Sequence, residues 1–294
     1  MQISANSQVQ MQAYNKTQQL KPAMEQTASP KTLQIRAYTA SSLIRSEPVN
    51  PRQNEILQLV NDRKRVQVTE LSDIIGVSGV TIRQDLNFLE QQGYLKRVHG
   101  AATALQSDDI DTRLEVRFDI KQSLANKAAD LVSPNETVLI EGGSANALLA
   151  RTLAERGDVT IITPSAYIAH LIRNTSANII LLGGVYQHQG ESLVGPLTKL
   201  CIENIHFSTA FLGIDGFHQD TGFTSRDMMR ADIAEAILAK NRRNIVLTDS
   251  SKFGQIYPSS IGNTNEISVL LTDKAAPKSD LEQIKKLGVE VVLG

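Results

Sequence analysis

The sequence predicts an α/β protein in two parts: a small helical module closed by a β-ribbon, then a larger domain built on a mainly parallel sheet. Two amphipathic helical segments in residues 68–89, separated by a glycine, predict the helical module. The alternating, basic residues 93–100 follow and predict the ribbon. From residue 137 onward, short aliphatic runs alternate with helical segments, which is typical of a parallel sheet with helices on both faces.

The composition bounds the class of protein. With 294 residues and 41% apolar side chains, the chain can form two domains with a sizeable core. Its net charge of −1 excludes a globally basic surface, so any affinity for nucleic acid must come from a local patch. The single cysteine, Cys201, excludes an intramolecular disulfide and is expected as a small core residue in a helix. Because the sequence has no membrane-length apolar run and no signal-peptide region, we expect a cytoplasmic protein.

The first helix of the pair is expected to begin after Thr69, whose hydroxyl can accept an unsatisfied backbone N–H. Leu71, Ile74 and Ile75 lie at helical spacing and predict a buried face. Gly76 then permits a sharp exit.

Ser78 is predicted to cap the second helix. Ile82, Leu86 and Leu89 recur at i, i+4 and i+7, so one stripe of this helix is buried. The outer face carries hydrogen-bonding groups and little bulk, namely Thr81, Arg83, Gln84 and Asn87. A helix entering the DNA major groove requires such a face, although an ordinary helical hairpin with a solvated face has the same spacing.

The flanking residues complete a module over residues 49–104. A helix at 52–61 should bury Ile56, Leu59 and Val60, and a short strand is expected at 66–68. The ribbon at 93–100 resembles the wing of a winged helix and carries cations that can meet phosphate. The residues expected to contact DNA are Thr69, Ser78, Thr81, Arg83, Gln84, Asn87, Lys96, Arg97 and His99.

The run VSGVTIRQDLNFLEQQGYLKRVHGAA resembles the N-terminal signature of the DeoR family of bacterial transcriptional regulators. The usual family pattern is VS..TIRRDL..LE..G.L.R.HGGA. Gln84 stands where the family usually has a second arginine, and Ala101 replaces a glycine. The resemblance implies a winged helix-turn-helix that binds double-stranded DNA and regulates transcription, most often as a repressor. One such helix reads few base pairs, so we expect a homo-oligomer, a dimer or tetramer, assembled mainly through residues 118–294.

Residues 1–48 are rich in Gln, Ser, Thr, Asn and Ala and are expected to be disordered. Their slight positive charge allows a DNA-contacting arm. Family members usually begin just before the position of Arg52, and a GUG start codon can be read as the internal Val49. We therefore hypothesise that residues 1–48 are not translated.

The second part begins with a polar, acidic linker at 105–117 and a helix at 118–132 that turns Leu124, Ala128 and Leu131 inward. The predicted strands are TVLIE, VTIIT, NIILLG, TAFLGI, NIVLTD, ISVLLTD and VEVVLG. The predicted helices between and after them span 145–155, 166–174, 193–205, 227–240 and 279–287. In such sheets, ligands bind outside the carboxyl ends of the strands.

Glycine and polar residues concentrate at those strand ends. The loop at 141–146 joins a strand to a helix, where exposed backbone N–H groups and the helix N-terminus can hold an anion. Each loop alone is explained by a plain turn, but the set together favours a ligand pocket. The predicted effector-binding residues are Glu141, Gly142, Gly143, Ser144, Ala145, Thr163, Ser165, Gly183, Gly184, Asp215 and Lys252.

These loops also resemble the motifs of the DeoR-family effector domain. The usual D.G.T, TNS, LLGG, G.D with a later G.T, and D.SKFG correspond here to residues 141–144, 163–165, 181–184, 213–215 with 222–224, and 249–254. The resemblance implies a fold similar to ribose-5-phosphate isomerase and a phosphorylated sugar as effector. Glu141 and Pro164 depart from the family pattern at positions that bear on the identity of the sugar.

A second hypothesis is a sugar-phosphate isomerase or deaminase with an incidental helical module. Asp215, Glu141 and Lys252 could then move a proton and stabilise an oxyanion. A pure enzyme does not need a winged-helix signature, and no second carboxylate follows Asp215 in that segment, so the regulator is favoured and no catalytic residue is predicted. The five histidines lack metal-ligand spacing, and no GxSxG, GxGxxG or P-loop pattern occurs, so we expect no metal or cofactor.

Overall fold

The computed structural model describes residues 49–92, 94–104 and 110–294. The extension predicted as disordered, Met1–Pro48, lies outside the described residues, as do Gly93 and the start of the predicted linker at 105–109. No helix in the described part of the chain combines the length and the apolar character needed to cross a membrane.

The N-terminal part is a winged helix-turn-helix. Its elements are α1 (Pro51–Arg63), β1 (Arg65–Gln67), α2 (Val68–Ile75), α3 (Gly79–Gln91), β2 (Leu95–Val98) and β3 (Ala101–Ala104). The three strands form an antiparallel sheet in the order β1-β3-β2. Ile82, Leu86 and Leu89 are fully buried against α1, as their spacing predicts, and Gly76 ends α2 in the left-handed conformation.

Two predictions about α2 are wrong. Thr69 does not cap it, because Val68 already lies in its first turn and donates its N–H to the Gly100 carbonyl at 2.9 Å. The N-cap is Gln67, which makes no side-chain cap. Ile74 is 42% exposed, so the buried face of α2 is narrower than its apolar spacing suggests.

A buried carboxylate joins α1 to α3. Asp85 accepts hydrogen bonds from Arg52 Nε at 2.6 Å and from Gln53 Nε2 at 3.1 Å. Since Asp85 lies on the inner side of α3, these bonds fix how that helix is rotated and which residues it presents to solvent. In α1 itself, Leu57 is fully buried, whereas Leu59, predicted as buried, is only partly so.

The larger part contains a seven-stranded, fully parallel sheet. Its strands are β4 (Thr137–Ile140), β5 (Thr160–Thr163), β6 (Asn178–Leu181), β9 (Thr209–Leu212), β12 (Arg243–Leu247), β14 (Val269–Thr272) and β15 (Glu290–Leu293). They lie in the order β15-β14-β12-β9-β4-β5-β6. All seven predicted strands are present, which confirms the predicted α/β architecture.

Helices cover both faces of this sheet. They are α4 (Ile110–Glu115), α5 (Phe118–Ala129), α6 (Ser144–Arg156), α7 (Ala166–Ile172), α8 (Pro196–Asn204), α9 (Met228–Leu238) and α10 (Lys278–Lys286). Val138 and Ile140 of β4 pack with α5, α6 and α7, whereas Leu139 faces the core that contains α8, α9 and α10. The residues of the central strands therefore alternate between two cores, whereas Ile180 and Leu181 of the edge strand β6 are exposed.

Two element predictions are corrected. Residues 110–115 of the predicted linker form α4, which is tied to α7 because Tyr167 donates its hydroxyl to Asp111 at 2.6 Å. Residues 193 and 194, predicted as the start of a helix, instead belong to β8 (Ser192–Val194), which pairs with β7 (Val185–Gln187). A further small sheet, β10 (Gly216–His218), β11 (Gly222–Ser225) and β13 (Ser259–Ser260), was not predicted, because such short strands have little periodicity.

The strand order reverses between β4 and β9. From β4 the chain proceeds outward through β5 and β6, then returns to β9 on the other side of β4 and continues to β12, β14 and β15. Loops that leave the sheet in opposite directions open a crevice at the carboxyl ends of these two central strands. The fold therefore places a candidate ligand site after β4 and β9.

Candidate effector cleft and DNA-binding face

A cleft lies at this reversal point. Loops after the neighbouring strands β4, β9 and β12 line it, and α4 and α5 contribute one basic side chain each. We call this site the effector cleft. Its lining residues are Arg113, Lys121, Gly142, Gly143, Ser144, Ala145, Asn146, Gly213, Ile214, Leu247, Thr248, Asp249 and Lys252.

The glycine loop presents the N-terminus of α6 to the cleft. Gly143 is the N-cap and supplies no side-chain cap for the first N–H groups of this 13-residue helix. Asn146 holds the loop, because its Nδ2 donates to the Gly142 carbonyl at 3.0 Å. In the described part of the chain, the Asn146 Oδ1 atom is buried without a hydrogen-bond partner. The loop therefore combines an anion-binding helix end with an acceptor that a ligand hydroxyl can fill.

Basic side chains outnumber acidic ones in the cleft lining. Arg113, Lys121 and Lys252 face a single lining carboxylate, Asp249. Arg113 Nη2 also lies 3.9 Å from a carboxylate oxygen of Asp215. The excess of positive charge beside a helix N-terminus suits an anionic group.

Two lysines in this cluster are buried at an electrostatic cost. Burial, opposed by Asp249 and reinforced by three nearby cations, lowers the pKa of Lys121 to about 7. The Lys121 Nζ donates to the carbonyl oxygens of Arg113 and Val116, which ties the end of α4 to α5. Burial also lowers the pKa of Lys252, and the Arg113 guanidinium lowers it further, while Asp249 and Asp215 oppose them.

Glu141 and Asp215, both predicted to bind effector, make bonds within the protein. Glu141 accepts the N–H of Gly213 at 3.1 Å and forms a buried ion pair with Arg230 at 3.5 Å. Asp215 accepts the N–H of Arg226 at 3.0 Å. Burial acts to raise the pKa of Asp215, but the charges of Arg113 and Arg230 bring it below its ordinary value. Both carboxylates therefore hold the loops of the cleft in place.

Six predicted effector residues do not line the cleft: Glu141 and Asp215, which make the internal bonds just described, and Thr163, Ser165, Gly183 and Gly184. Thr163 accepts the N–H of Ser165 at 3.0 Å, and Ser165 caps α7 by accepting the N–H of Ile168 at 3.2 Å. Gly183 and Gly184 pack against the start of α8. Their motifs come from strand ends at the edge of the sheet, one or two strands away from the reversal point.

Gly184 allows a close approach of two segments, which gives a stability prediction. A Cβ here would lie 2.0 Å from Thr198 Oγ1 and 2.8 Å from the Val194 carbonyl. We expect Gly184→Ala to destabilise the domain by about 1–3 kcal/mol through overpacking, measured by chemical denaturation. The matched control is Gly183→Ala, whose Cβ meets Leu197 at an ordinary 3.6 Å. Equal stability of the two variants would contradict this account.

Sequence reasoning missed the cleft residues contributed by α4 and α5. Arg113, Arg117 and Lys121 recur at i, i+4 and i+8 inside the segment predicted as linker and helix start, although Arg117 itself lies between α4 and α5. Arg117 donates to Ser250 Oγ at 3.1 Å and lies 3.7 Å from Asp249. This spacing of cations could have predicted the cleft residues. The acidic residues at 108, 109 and 111 instead led to the prediction of a polar linker.

A wider open groove near the amino ends of the strands is a poor alternative site. Its one arginine, Arg156, pairs with Asp158 at 3.1 Å and also donates to the carbonyls of Ala129 and Val132. The Nε, Nη1 and Nη2 atoms of Arg156 therefore all donate to groups within the protein.

The outer face of α3 is largely as predicted. Arg83, Gln84 and Asn87 are exposed, and Thr81 is half-buried. Ser78 caps the helix by accepting the N–H of Thr81 at 3.2 Å, and the two hydroxyls lie 2.9 Å apart. These hydroxyls are therefore already engaged at the helix start.

The wing is fixed to α3. The guanidinium of Arg97 donates a hydrogen bond to Asn87 Oδ1, and the backbone N–H of Arg97 donates one to the Glu90 carboxylate at 2.8 Å. Lys96 and His99 are exposed on the ribbon, as is Thr69 on α2. The ribbon is formed by β2 and β3, so it extends beyond the predicted residues 93–100.

A winged helix-turn-helix followed by a parallel α/β domain with a cleft rich in basic side chains defines the class of ligand-responsive, DNA-binding transcriptional regulators. The family model of the DeoR-like helix-turn-helix domain matches residues 52–108, and that of the DeoR C terminal sensor domain matches residues 117–274. The chain belongs to the DeoR family. Membership confirms the prediction of a transcriptional regulator over that of an isomerase or deaminase.

Named relatives agree with this assignment. The HTH-type transcriptional regulator GolR of Listeria innocua is 32% identical over 82% of this chain and 96% of its own length. An L-fucose operon activator of Haemophilus influenzae is 27% identical over 78% of this chain and 94% of its own. A ribose 5-phosphate isomerase A of Methanocaldococcus jannaschii superposes with a TM-score of 0.36, at 20% identity, over 47% of this chain and 55% of that one. This superposition is too partial to support any conclusion about the effector cleft.

Proposed function

We propose that the protein is a transcriptional repressor whose affinity for operator DNA is controlled by a phosphorylated sugar bound in the effector cleft. The observation that carries the proposal is the α6 N-terminus, which faces Arg113, Lys121 and Lys252 across the cleft. A phosphate dianion matches that arrangement. The buried Oδ1 of Asn146 suits the hydroxyl of a sugar, and one relative is named for an operon of the sugar L-fucose.

In this proposal, phosphate binds at Gly142, Gly143, Ser144 and Ala145, and the sugar extends toward Asn146 and Lys252. Residues 49–104 read DNA, and residues 110–294 bind the effector. Thr69, Lys96, Arg97 and His99 contact phosphates of the DNA backbone, while Arg83 and Gln84 reach base edges.

A thermal-shift screen against a panel of sugar phosphates and their unphosphorylated sugars tests the effector. Binding should raise the melting temperature only for phosphorylated compounds, since ligand above its dissociation constant stabilises the folded state. The active compound should then release the protein from operator DNA in a gel-shift titration. Turnover of ribose 5-phosphate, or stabilisation by the unphosphorylated sugars alone, would reject the proposal.

Effector binding is expected to weaken as pH rises from 7 to 9. Lys121, with a pKa of about 7 in the free protein, is increasingly neutral over this range. A bound phosphate dianion favours its charged form, so binding takes up a proton and affinity falls by at most about tenfold per pH unit. Calorimetry at pH 8 in two buffers of different ionisation enthalpy measures this uptake, and the absence of any uptake contradicts the prediction.

We also expect a dimer or tetramer. A single α3 per chain reads only a few base pairs, so useful specificity requires two half-sites held by a symmetric protein. Light scattering of the full chain at micromolar concentration measures the mass. A monomer under those conditions contradicts the expectation.

A further inference from the structure

Exposed apolar side chains concentrate on one surface of the sensor domain. We call it the apolar patch, and it is formed by the edge strand β6, by β7, by the first half of α8 and by the first turn of α9. Its residues are Ile180, Val185, Leu197, Leu200, Met228 and Met229, each between 38% and 75% exposed, whereas the exposed Leu181 and Tyr186 point to the opposite sides of their strands. Outside the patch, the described sensor residues include three further exposed large apolar side chains, Ile256, Leu287 and Leu293.

Contacts across two glycines show that the patch is continuous. A Cβ on Gly195 would lie 3.7 Å from Val185 Cγ2 and 3.8 Å from Met229 Cε, so β7 and α9 meet there. A Cβ on Gly183 would lie 3.6 Å from Leu197, which brings the end of β6 against α8. A contiguous apolar surface of this kind is uncommon on a monomer and marks an interaction site.

We propose that the apolar patch is the surface on which a second copy of this chain docks. The inference rests on the proposed function, because a regulator with one reading helix per chain needs a partner copy to reach two half-sites. In a two-fold contact, the same patch meets itself. Apolar side chains tolerate that self-contact, whereas a charged patch would repel its copy. The free edge of β6, which has no strand neighbour among the described residues, lies within the same surface.

The patch is connected to the effector cleft. Asp227 caps α9 and accepts a hydrogen bond from Gln187 of β7 at 3.0 Å. This bond joins α9 to β7. Two residues after Met228, Arg230 pairs with Glu141, which holds the Gly213 loop of the cleft. A second copy that docks on α9 therefore contacts the helix that carries Arg230, and Arg230 supports the effector cleft through Glu141.

Leu197→Glu and Met228→Glu in the full chain test the patch. Both positions lie in the first turn of a helix, where a carboxylate is tolerated by the helix dipole. We expect each change to weaken self-association at least 100-fold, so that light scattering gives a monomer at a concentration where the wild type is oligomeric. The control is Leu287→Lys, a charge at an exposed residue at the end of α10, which should keep the wild-type mass.

The outcomes are distinct from those of the proposed function. Wild-type mass in both glutamate variants overturns the inference alone, whereas a monomeric wild type overturns it together with the expected dimer or tetramer. Binding of the wild type to operator and sugar phosphate is measured separately, so a failure of the patch leaves the proposed function standing.

A different observation concerns Val80, which is 62% exposed on the outer face of α3. Val80, Gln84 and Asn87 lie at i, i+4 and i+7, so they form one stripe. Because the Ser78 and Thr81 hydroxyls are engaged in the cap, the isopropyl group of Val80 is the feature that projects from the first turn. The first residues of a reading helix are those that approach base edges.

We infer that Val80 recognises thymine through its 5-methyl group, which is the apolar feature that the major groove presents. This inference also rests on DNA reading by α3. The stripe then pairs an apolar contact with the amide of Gln84, which suits adenine, and predicts an operator half-site rich in A·T pairs at its centre.

Replacing single thymines by uracil in a selected operator isolates the methyl group. For one thymine in each half-site, the replacement should weaken wild-type binding about fourfold, the value of one buried methyl. The same replacement should have no effect on Val80→Ala, while Val80→Ile should retain the penalty. Equal penalties in wild type and Val80→Ala at every thymine overturn the inference, whereas failure to select any operator overturns the proposed function instead.

Discussion

Lys252→Ala is expected to abolish the effector response and to leave the affinity for operator nearly unchanged. Lys252 lies in the cleft beside Arg113 and opposite Asp249 and Asp215. Removing it takes one positive charge away from the bound phosphate and from these two carboxylates. Losing one partner of a buried charge pair costs about 2–5 kcal/mol, which is roughly 30-fold or more in effector affinity. Operator release, followed by fluorescence anisotropy as sugar phosphate is added, measures the response.

The control for this change is Lys278→Ala, which removes an exposed lysine at the start of α10. That variant should respond like the wild type. Lys252→Arg keeps the charge and should retain part of the response, which separates loss of charge from loss of folding. An unchanged effector response in Lys252→Ala would reject the role assigned to this lysine.

Gln84→Arg is expected to change which operator the protein prefers. Gln84 is exposed on α3, where the usual family pattern has arginine. Glutamine pairs bidentately with adenine and arginine with guanine, so the change should move the preference from adenine to guanine at one position in each half-site, by about 1–3 kcal/mol. Selecting sites from a random DNA pool with both proteins measures the shift.

The alternative geometry gives a different result. Adjacent residues in a helix point about 100° apart, so Arg83 and Gln84 need not both reach bases. If residue 84 faces phosphate, the arginine should strengthen binding to all sequences and steepen the salt dependence by about one unit per contact. Identical site preferences and salt slopes would mean that Gln84 contacts neither base nor phosphate.

A change at Asn87, which lies on the same side of α3 as Val80 and Gln84, gives a comparison for Gln84→Arg. Asn87 is held by Arg97 of the wing, so Asn87→Ala changes the support of the wing as well as a candidate contact. Its effect should therefore spread over several positions of the operator, whereas that of Gln84→Arg should be confined to one.

The sequence alone determined the elements that depend on local chemistry. The buried stripe of α3, its Ser78 cap and the exit at Gly76 follow from side-chain spacing and from backbone freedom within a few residues. The seven aliphatic runs became the seven parallel strands for the same reason. The glycine loop after β4 was predictable because a strand-to-helix turn at the carboxyl end of a parallel strand has a defined chemistry.

Only the tertiary structure decided which strand ends come together. Strands β4, β9 and β12 are neighbours, so Gly142, Gly213 and Lys252 share a cleft, whereas Gly183 follows the edge strand β6 and became a packing residue. Arg113 enters the cleft because α4 packs against the sensor domain, although it precedes the glycine loop by about thirty residues of chain. Local spacing fixes where an element begins and which side is apolar, but the order of strands depends on burial and hydrogen bonding between distant segments, which no short window of sequence contains.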